Sequence, residues 1–176
     1  MYKEILKIPR ERVAVLIGKK GSIKRNLERI FNVMIRVDSE TGLASIESDD
    51  SLSIYEAAPA IKAIARGFNP RVAEALKDED VVLEIINIED YVGKAKNHVA
   101  RMRSRLIGKE GKARKYIEEL THTRISVYGK TVAIIGKYYN VEVAKEGVED
   151  LLKGAPHSNA FRHIINRRKD VQQNNP

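Results

Sequence analysis

The sequence predicts an α+β fold made of two copies of one small unit, each a three-stranded sheet packed on helices, followed by a C-terminal helix. The peptide Leu-Ile-Gly-Lys-x-Gly occurs twice, at residues 16–21 and 106–111, ninety residues apart. Around both copies the same apolar periodicities recur, alternating between the spacing of helices and that of strands. A chain of 176 residues with 43% apolar residues can build two such cores.

A strand and a helix are predicted upstream of each peptide. In the first copy, residues 4–8 form an apolar strand, and Pro9 begins a helix over residues 10–17. In the second copy, the strand covers residues 81–88 and one longer helix covers residues 91–107. Each helix therefore leads directly into the glycine-containing peptide.

A helix, two strands and a closing helix are predicted downstream of each peptide. The helices follow from apolar residues three or four positions apart, and the strands follow from strict alternation. In the first copy, the helix covers 22–30 and the strands cover 33–37 and 43–47, with a turn at 38–42. In the second copy, the helix covers 112–120 and the strands cover 123–127 and 131–136, with a turn at 128–130.

Each closing helix is predicted to end at a glycine, Gly67 or Gly154, followed by a proline. Pro59 predicts either a kink in the first closing helix or a stable part that starts near Ala58. The tyrosines at positions 138 and 139 open the second closing helix and are expected to pack.

The repeats set the predicted domain boundaries. A short amphipathic helix without a Gly/Ser-rich stretch is expected between the copies, so the link is not a flexible one. A basic helix over residues 157–171 and a disordered end from residue 172 are expected after the second copy. The predicted divisions are a first domain over 1–68, a helical linker over 69–80, a second domain over 81–154, and a C-terminal basic helix and tail over 155–176.

Positive charge is concentrated on the helices beside the two glycine peptides. The formal net charge is +8. Residues 1–36 carry ten Lys/Arg and three acids, and residues 91–115 carry nine Lys/Arg and one acid, whereas residues 37–90 carry four Lys/Arg and thirteen acids. Because the charge follows the repeat, it indicates a polyanionic partner more strongly than a merely soluble surface.

Two glycines around two polar residues, at the start of a basic helix, suit a backbone that touches phosphate. Glycine permits close approach and unusual dihedral angles, and the first N–H groups of a helix are unpaired and carry a partial positive charge. Neither peptide is a P-loop, because the four-residue spacer and the Lys-Ser/Thr ending are missing.

The sequence offers no pattern for catalysis, cofactor or metal binding. There is no cysteine, and the four histidines lack metal-ligand spacing. No N-terminal apolar stretch follows a basic start and no apolar run reaches about eighteen residues, so a soluble, cytoplasmic, non-enzymatic protein without a cofactor is expected. The acidic residues at 49–50 and 78–80 are expected to lie in turns.

The order strand, helix, Gly-x-x-Gly, helix, strand, strand, helix resembles the type I KH domain, twice over and across nearly the whole chain. The resemblance implies that each copy holds about four nucleotides of single-stranded RNA against its loop. The candidate RNA-binding residues are Gly18, Lys19, Lys20, Gly21, Arg36, Arg105, Ile107, Gly108, Lys109, Glu110, Gly111, Lys112, Arg114, Arg124 and Lys130.

Three further features narrow the resemblance: Gly-Lys-Glu-Gly at 108–111, Thr-Arg-Ile-Ser-Val at 123–127, and Leu-Leu-Lys-Gly-Ala-Pro-His-Ser at 151–158 before a basic tail. They are similar to the archaeal and eukaryotic "partner of Nob" family of small-subunit ribosome maturation. That family implies binding near the 3′ end of small-subunit ribosomal RNA, with a pre-rRNA endonuclease and the alpha subunit of translation initiation factor two as partners. The eukaryotic members have a degraded first loop, whereas Gly18 to Gly21 are intact here.

Two other functions remain open at this point. One is a tandem-KH protein of the transcription-elongation kind, which the strand-first order disfavours. The other is a protein-interaction module with reduced RNA binding, which the two intact loops disfavour. Of the two copies, the second is expected to bind RNA more strongly, because its hairpin turn at 128–130 is basic and aromatic whereas the turn at 38–42 is acidic.

Overall fold

In a computed structural model, residues 1–174 are described. They divide into two compact units, with the boundary between Val81 and Val82. The first unit contains β1 (Tyr2–Lys7), α1 (Arg10–Ile17), α2 (Ser22–Phe31), β2 (Met34–Asp38), β3 (Leu43–Ser48), α3 (Ser51–Ala65) and α4 (Pro70–Ala73). The second contains β4 (Val81–Asn87), α5 (Glu89–Val92), α6 (Lys96–Ile107), α7 (Lys112–Thr121), β5 (Arg124–Tyr128), β6 (Thr131–Lys137), α8 (Tyr138–Leu152) and α9 (His157–Asn174).

Both sheets have the same topology, with the last strand in the middle. The orders are β1-β3-β2 and β4-β6-β5. In the first sheet, both pairings of β3 are antiparallel, with Ile46 opposite Glu4 on one side and opposite Ile35 on the other. In the second, Ile134 lies opposite Ile125. This confirms the predicted α+β class, with each three-stranded sheet packed on helices, and it makes β2 and β5 the edge strands beside the loop-bearing helices.

Each core is formed where the helices pack on one face of their sheet. Leu16, Leu27, Ile35 and Ile46 are fully buried in the first unit. The corresponding core of the second unit includes Leu106, Ile117, Ile125 and Ile134. These residues lie at the predicted apolar positions of the helices and strands, so the periodicity of the sequence identified the buried faces correctly.

Three element boundaries differ from the sequence prediction. The single helix expected over residues 91–107 is two helices, α5 and α6, because Gly93 ends α5 in a positive-φ conformation and donates its N–H to Glu89. α3 continues through Pro59 without a break. The carbonyl that loses its donor there belongs to the exposed Tyr55, where water can replace the missing bond. α9 extends to Asn174, and residues 175 and 176 lie outside the described part of the chain.

Both closing helices end as predicted, with Gly67 and Gly154 at positive φ. The N–H of Phe68 bonds to Ala63 O, and the N–H of Ala155 bonds to Asp150 O, as in a Schellman cap. An added helix then packs on the outside of each closing helix. In the first unit it is α4 with a short 3₁₀ turn, Glu74–Lys77, and in the second it is α9.

Candidate nucleic-acid interface

The two glycine loops have the same backbone conformation. Gly18 and Gly108 have φ of 73° and 74°, and Gly21 and Gly111 both have φ of 75°. Between them, Lys20 and Glu110 are also left-handed, with φ of 52° and 56°. A lysine and a glutamate in the same strained conformation mean that the surrounding helices, and not the side chains, determine the shape of the loop.

The first glycine of each loop is required for space as well as for conformation. A Cβ on Gly18 would lie 2.8 Å from the backbone nitrogen of Ile23, and a Cβ on Gly108 would lie 2.8 Å from that of Ala113. The second glycine has more room, since the nearest atom to a Cβ on Gly111 is 3.7 Å away. The helix that follows therefore lies directly against the first glycine.

The loops leave helix N-termini without a side-chain cap. Neither α2 nor α7 has a side chain that accepts a hydrogen bond from its first turn. The N–H of the first residue of each helix bonds back to the loop, from Ser22 to Lys19 O and from Lys112 to Lys109 O, and the helix N-terminus carries a partial positive charge. With Lys19, Lys20, Lys109 and Lys112 exposed around them, the loops present positive charge to an anion.

A repeated carboxylate fastens each edge strand to the helix after the loop. Glu28 accepts a hydrogen bond from the N–H of Ile35 at 2.8 Å, and Glu118 accepts one from the N–H of Ile125 at 2.9 Å. Each carboxylate is also paired one helical turn away, with Lys24 at 3.1 Å or with Arg114 at 2.6 Å. This pairing fixes the distance between the helix and the edge strand.

The sequence reasoning missed this carboxylate. Its signal is present in the sequence, because a base and a glutamate four residues apart recur at 24/28 and 114/118. Such i,i+4 pairs are normally assigned to an exposed helix surface. Only the packing of the helix against the strand shows that the glutamate also caps the strand.

In a type I KH domain, bases lie in an apolar groove between the loop-flanking helices and the edge strand, and six isoleucines are candidates for its floor in the two units. Ile35, Ile117 and Ile125 are buried, whereas Ile17, Ile23 and Ile107 are half-buried beside the loops. The three buried side chains support the sheet from inside. The apolar surface that a base could contact therefore lies close to the loop, at the end of the first helix.

The candidate arginines and lysines fall into two groups. Arg105 is part of the scaffold, since its guanidinium donates to Leu151 O at 2.8 Å and also to Ala155 O at the end of α8. The others lie along the loop and the edge strand. Arg124 is 64% exposed and lies 3.5 Å from Glu118, Arg36 lies 4.0 Å from Glu47, and Lys130 lies 3.6 Å from Glu89.

The hairpin turns differ in charge. In the first unit, Asp38 accepts hydrogen bonds from the N–H groups of Glu40 and Thr41. Hydrogen bonding by Thr41 lowers the pKa of Asp38, so the turn stays negatively charged at neutral pH. In the second unit, Arg103 of α6 donates to Gly129 O at 3.2 Å and Lys130 is exposed. A phosphate chain would meet negative charge at one turn and positive charge at the other.

Tyr138 and Tyr139 do not pack as expected. Both rings are 56% exposed, and they contact each other edge to face with centroids 5.6 Å apart. The buried stripe of α8 begins only at Val141, so the first turn of this helix extends past the core.

Within residues 1–174, no helix has the length and apolar character needed to cross a bilayer. In the same residues, no group of three or more His, Asp or Glu side chains is arranged to hold a metal ion.

Comparison with known families agrees with this geometry. A model of the eukaryotic-type KH domain, KH-domain type I, matches residues 82–169, and a general KH-domain model matches residues 3–66. A KH domain-containing protein of Methanocaldococcus jannaschii is 44% identical over 97% of this chain and 76% of its own length. This chain belongs to the KH-domain family.

Relatives and solved structures narrow the placement to the branch of PNO1 and Dim2p. The RNA-binding protein pno1 of Dictyostelium discoideum is 28% identical over 89% of this chain and 68% of its own length. The crystal structure of Dim2p from Pyrococcus horikoshii matches with a TM-score of 0.86 and 42% identity, covering 94% of this chain and 99% of that one. A second structure from that organism, a complex of a/eIF2alpha, aDim2p and rRNA, matches at 0.88 and 43%, covering 96% and 95%.

Proposed function

We propose that this KH protein binds single-stranded RNA through its Gly-x-x-Gly loops and acts as an assembly factor at the 3′ region of small-subunit ribosomal RNA, without catalysing a reaction itself. The observation that carries the proposal is the matched pair of loops, each with an uncapped helix N-terminus and exposed lysines. That arrangement places the positive end of a helix dipole and the lysine charges at a surface that a phosphate chain can reach.

The ribosomal assignment rests on the relatives. The solved complex of a/eIF2alpha, aDim2p and rRNA contains a protein 43% identical to this chain, and PNO1 of Candida albicans is described as a pre-rRNA-processing protein. We therefore propose ribosomal RNA and the alpha subunit of the initiation factor as partners. A pre-rRNA endonuclease as a third partner, and action in the cytoplasm where subunits mature, remain proposals from the family resemblance.

The transcription-elongation alternative is disfavoured by topology. Each unit starts with a strand and has its last strand in the centre of the sheet. The elongation-type KH fold instead adds a helix and a strand before the core. The remaining alternative, a protein-interaction module, is disfavoured by two loops that keep both glycines and the same conformation.

The decisive experiment isolates charge at the loop. Asp and Asn are nearly isosteric and both tolerate left-handed backbone. We therefore compare Lys109→Asp/Glu110→Asp with Lys109→Asn/Glu110→Asn, and Lys19→Asp/Lys20→Asp with Lys19→Asn/Lys20→Asn. Affinity for single-stranded RNA is measured by filter binding, with duplex DNA as the competitor.

We expect the Asp variants to lose affinity at least tenfold relative to the Asn variants, at unchanged melting temperature. Wild-type affinity should fall by about 0.7 log units per log unit of salt for each phosphate neutralised. Equal affinity of the Asp and Asn pairs in both loops, or binding that does not depend on salt, would refute the proposed function.

A further inference from the structure

The exposed tyrosine pair at the start of α8 is not part of either glycine loop. Tyr138 and Tyr139 are each 56% exposed, and their rings meet edge to face. We call these two rings the tyrosine platform. A large aromatic surface held by its neighbour at the start of a fifteen-residue helix is suited to stacking, because little side-chain freedom remains to be lost on binding.

The platform lies at the end of the second unit opposite the glycine loop. α7 begins at the loop and runs ten residues to its C-cap, His122, which corresponds to about 15 Å. Arg124 lies opposite Ile135 in the β5–β6 pairing. Gly136 lies against Thr123, because a Cβ on Gly136 would be 2.9 Å from Cγ2 of Thr123. α7 ends two residues before Thr123 and Tyr138 comes two residues after Gly136, so the platform starts close to the end of α7.

This end of the second unit carries positive charge. Lys137 is exposed, and Arg168 of α9 donates to Nε2 of His122 at 2.5 Å. Arg124, at the start of the edge strand, is 64% exposed. The nearest acid along α8 is Glu142, four residues after Tyr138.

The first unit has the opposite chemistry at the matching place. Asp50 is the residue before α3 as Lys137 is the residue before α8, and Ser51 and Leu52 take the places of the two tyrosines. Asp50 caps α3 by accepting from the N–H of Leu52 at 3.1 Å. An open depression of about 740 Å³ there is lined by three acids, Glu47, Asp49 and Asp50, and by Arg36, which lies 4.0 Å from Glu47. This end of the first unit is therefore less favourable for RNA than the matching end of the second.

We infer that the tyrosine platform is an extension of the RNA site of the second unit, which stacks bases that leave the groove beyond the four nucleotides held at the loop. The inference rests on the proposed RNA-binding function. It commits to single-stranded RNA because the platform combines aromatic faces with cations, the combination that holds unpaired bases without sequence preference. The platform also lies near the start of β5, the edge strand along which the groove runs.

The test uses the full chain with the first loop silenced by Lys19→Asp/Lys20→Asp, so that binding reports the second unit. Two RNAs are compared, the tetranucleotide that binds best and a decanucleotide with that tetranucleotide at its centre. The platform variant is Tyr138→Ala/Tyr139→Ala, and Tyr138→Phe/Tyr139→Phe keeps the rings. Tyr55→Ala removes a comparably exposed tyrosine from α3 of the first unit as the matched control.

We expect the alanine variant to bind the decanucleotide roughly 5- to 150-fold more weakly, the range of one stacked base, and to bind the tetranucleotide unchanged. The phenylalanine variant and Tyr55→Ala should behave as wild type. A 2-aminopurine placed outside the tetranucleotide should be quenched on binding, except in the alanine variant.

The outcomes separate the two ideas. If the alanine variant binds the decanucleotide as wild type does while Lys109→Asp/Glu110→Asp abolishes binding, the platform does not bind RNA, and the proposed RNA binding by the loop is retained. The same holds if the alanine variant loses the tetranucleotide equally, or if Tyr55→Ala loses as much. If the silenced chain binds neither RNA and the unsilenced chain also fails, both ideas are overturned.

Discussion

The two units share a loop and differ in what surrounds it. Their glycine loops agree within a few degrees in φ, and the same glutamate fastens the edge strand in both. The hairpin turn and the far end of the groove are acidic in the first unit and basic in the second. The comparison teaches that one loop conformation can be kept twice while the charges around it change, and this difference is why we propose that the second unit binds RNA more strongly.

The contacts that hold α4 and its 3₁₀ turn in the first unit differ from those that hold α9 in the second, although they come from equivalent positions of the two units. Asn26 of α2 donates to Glu74 at 2.7 Å, and Tyr116, ninety residues later, contacts Phe161 of α9 edge to face at 4.8 Å. The C-terminal carbonyls of α3 accept from Arg12, and those of α8 accept from Arg105. The same places are therefore stabilised by different residues.

The largest expected effect concerns the first glycine of a loop. Gly108→Ala should lower the free energy of unfolding by about 3 kcal/mol, because its backbone (φ 74°, ψ 176°) lies in a region that essentially only glycine adopts and a Cβ would also clash with Ala113. Gly111→Ala, which has room for a Cβ, should cost about 1 kcal/mol. Urea denaturation measures both. If Gly18→Ala and Gly21→Ala did not reproduce this order, the loops would not be equivalent.

The second prediction ranks the loops as RNA binders. Lys109→Asp/Glu110→Asp should reduce RNA affinity more than Lys19→Asp/Lys20→Asp, by about tenfold, or 1.4 kcal/mol, because only the second loop has a basic hairpin turn beside it. Fluorescence anisotropy at one fixed salt concentration gives the ratio. A larger loss from the first loop would reverse the assignment.

The third prediction tests the glutamate that fastens the edge strand. Glu118→Ala leaves the N–H of Ile125 without its acceptor and should cost about 2 kcal/mol of stability. Glu119→Ala, at the neighbouring exposed position, is the control and should change stability by less than about 0.5 kcal/mol. Amide exchange of Ile125 should accelerate only in the first variant, and unchanged exchange would argue against the fastening role.

The fourth prediction concerns the contact between α8 and α9. A Cβ on Gly147 would lie 2.3 Å from Cδ1 of the buried Ile164, so Gly147→Ala should destabilise the second unit by about 1 kcal/mol after its gain in helix propensity. In an Ile164→Ala background, which removes both Cδ1 and the Cγ1 that would lie 2.5 Å from the new Cβ, the same change should be neutral or stabilising. Thermal unfolding of wild type, the two single variants and the double variant gives the coupling between the two positions. Additive effects of the two substitutions would exclude the contact.

The smallest expected effect is the pH dependence of stability at the acidic hairpin turn of the first unit. The folded pKa of Asp38 is lowered by Thr41, so its contribution to stability is present above its unfolded value of 3.8 and is lost as pH falls through the folded pKa. The difference in melting temperature between wild type and Asp38→Asn should therefore shrink between pH 5 and pH 2. A constant difference over that range would contradict the hydrogen-bonded turn.

The sequence by itself determined the repeated architecture of this protein. The duplicated glycine peptide and the order of periodicities predicted two type I KH units, the strand and helix order, the glycine caps at Gly67 and Gly154, and the loop residues 18–21 and 108–111. These features depend on local backbone conformation and on apolar spacing, which neighbouring residues alone decide.

Only the tertiary structure decided how individual polar and aromatic side chains are used. Arg105, a candidate for RNA contact, caps α8, and the carboxylate of Glu118 caps an edge strand. Tyr138 and Tyr139 are exposed because the core of α8 starts one turn later. These assignments depend on partners that are distant in sequence, Leu151 and Ala155 for Arg105, and apolar periodicity carries no information about which long side chain reaches them.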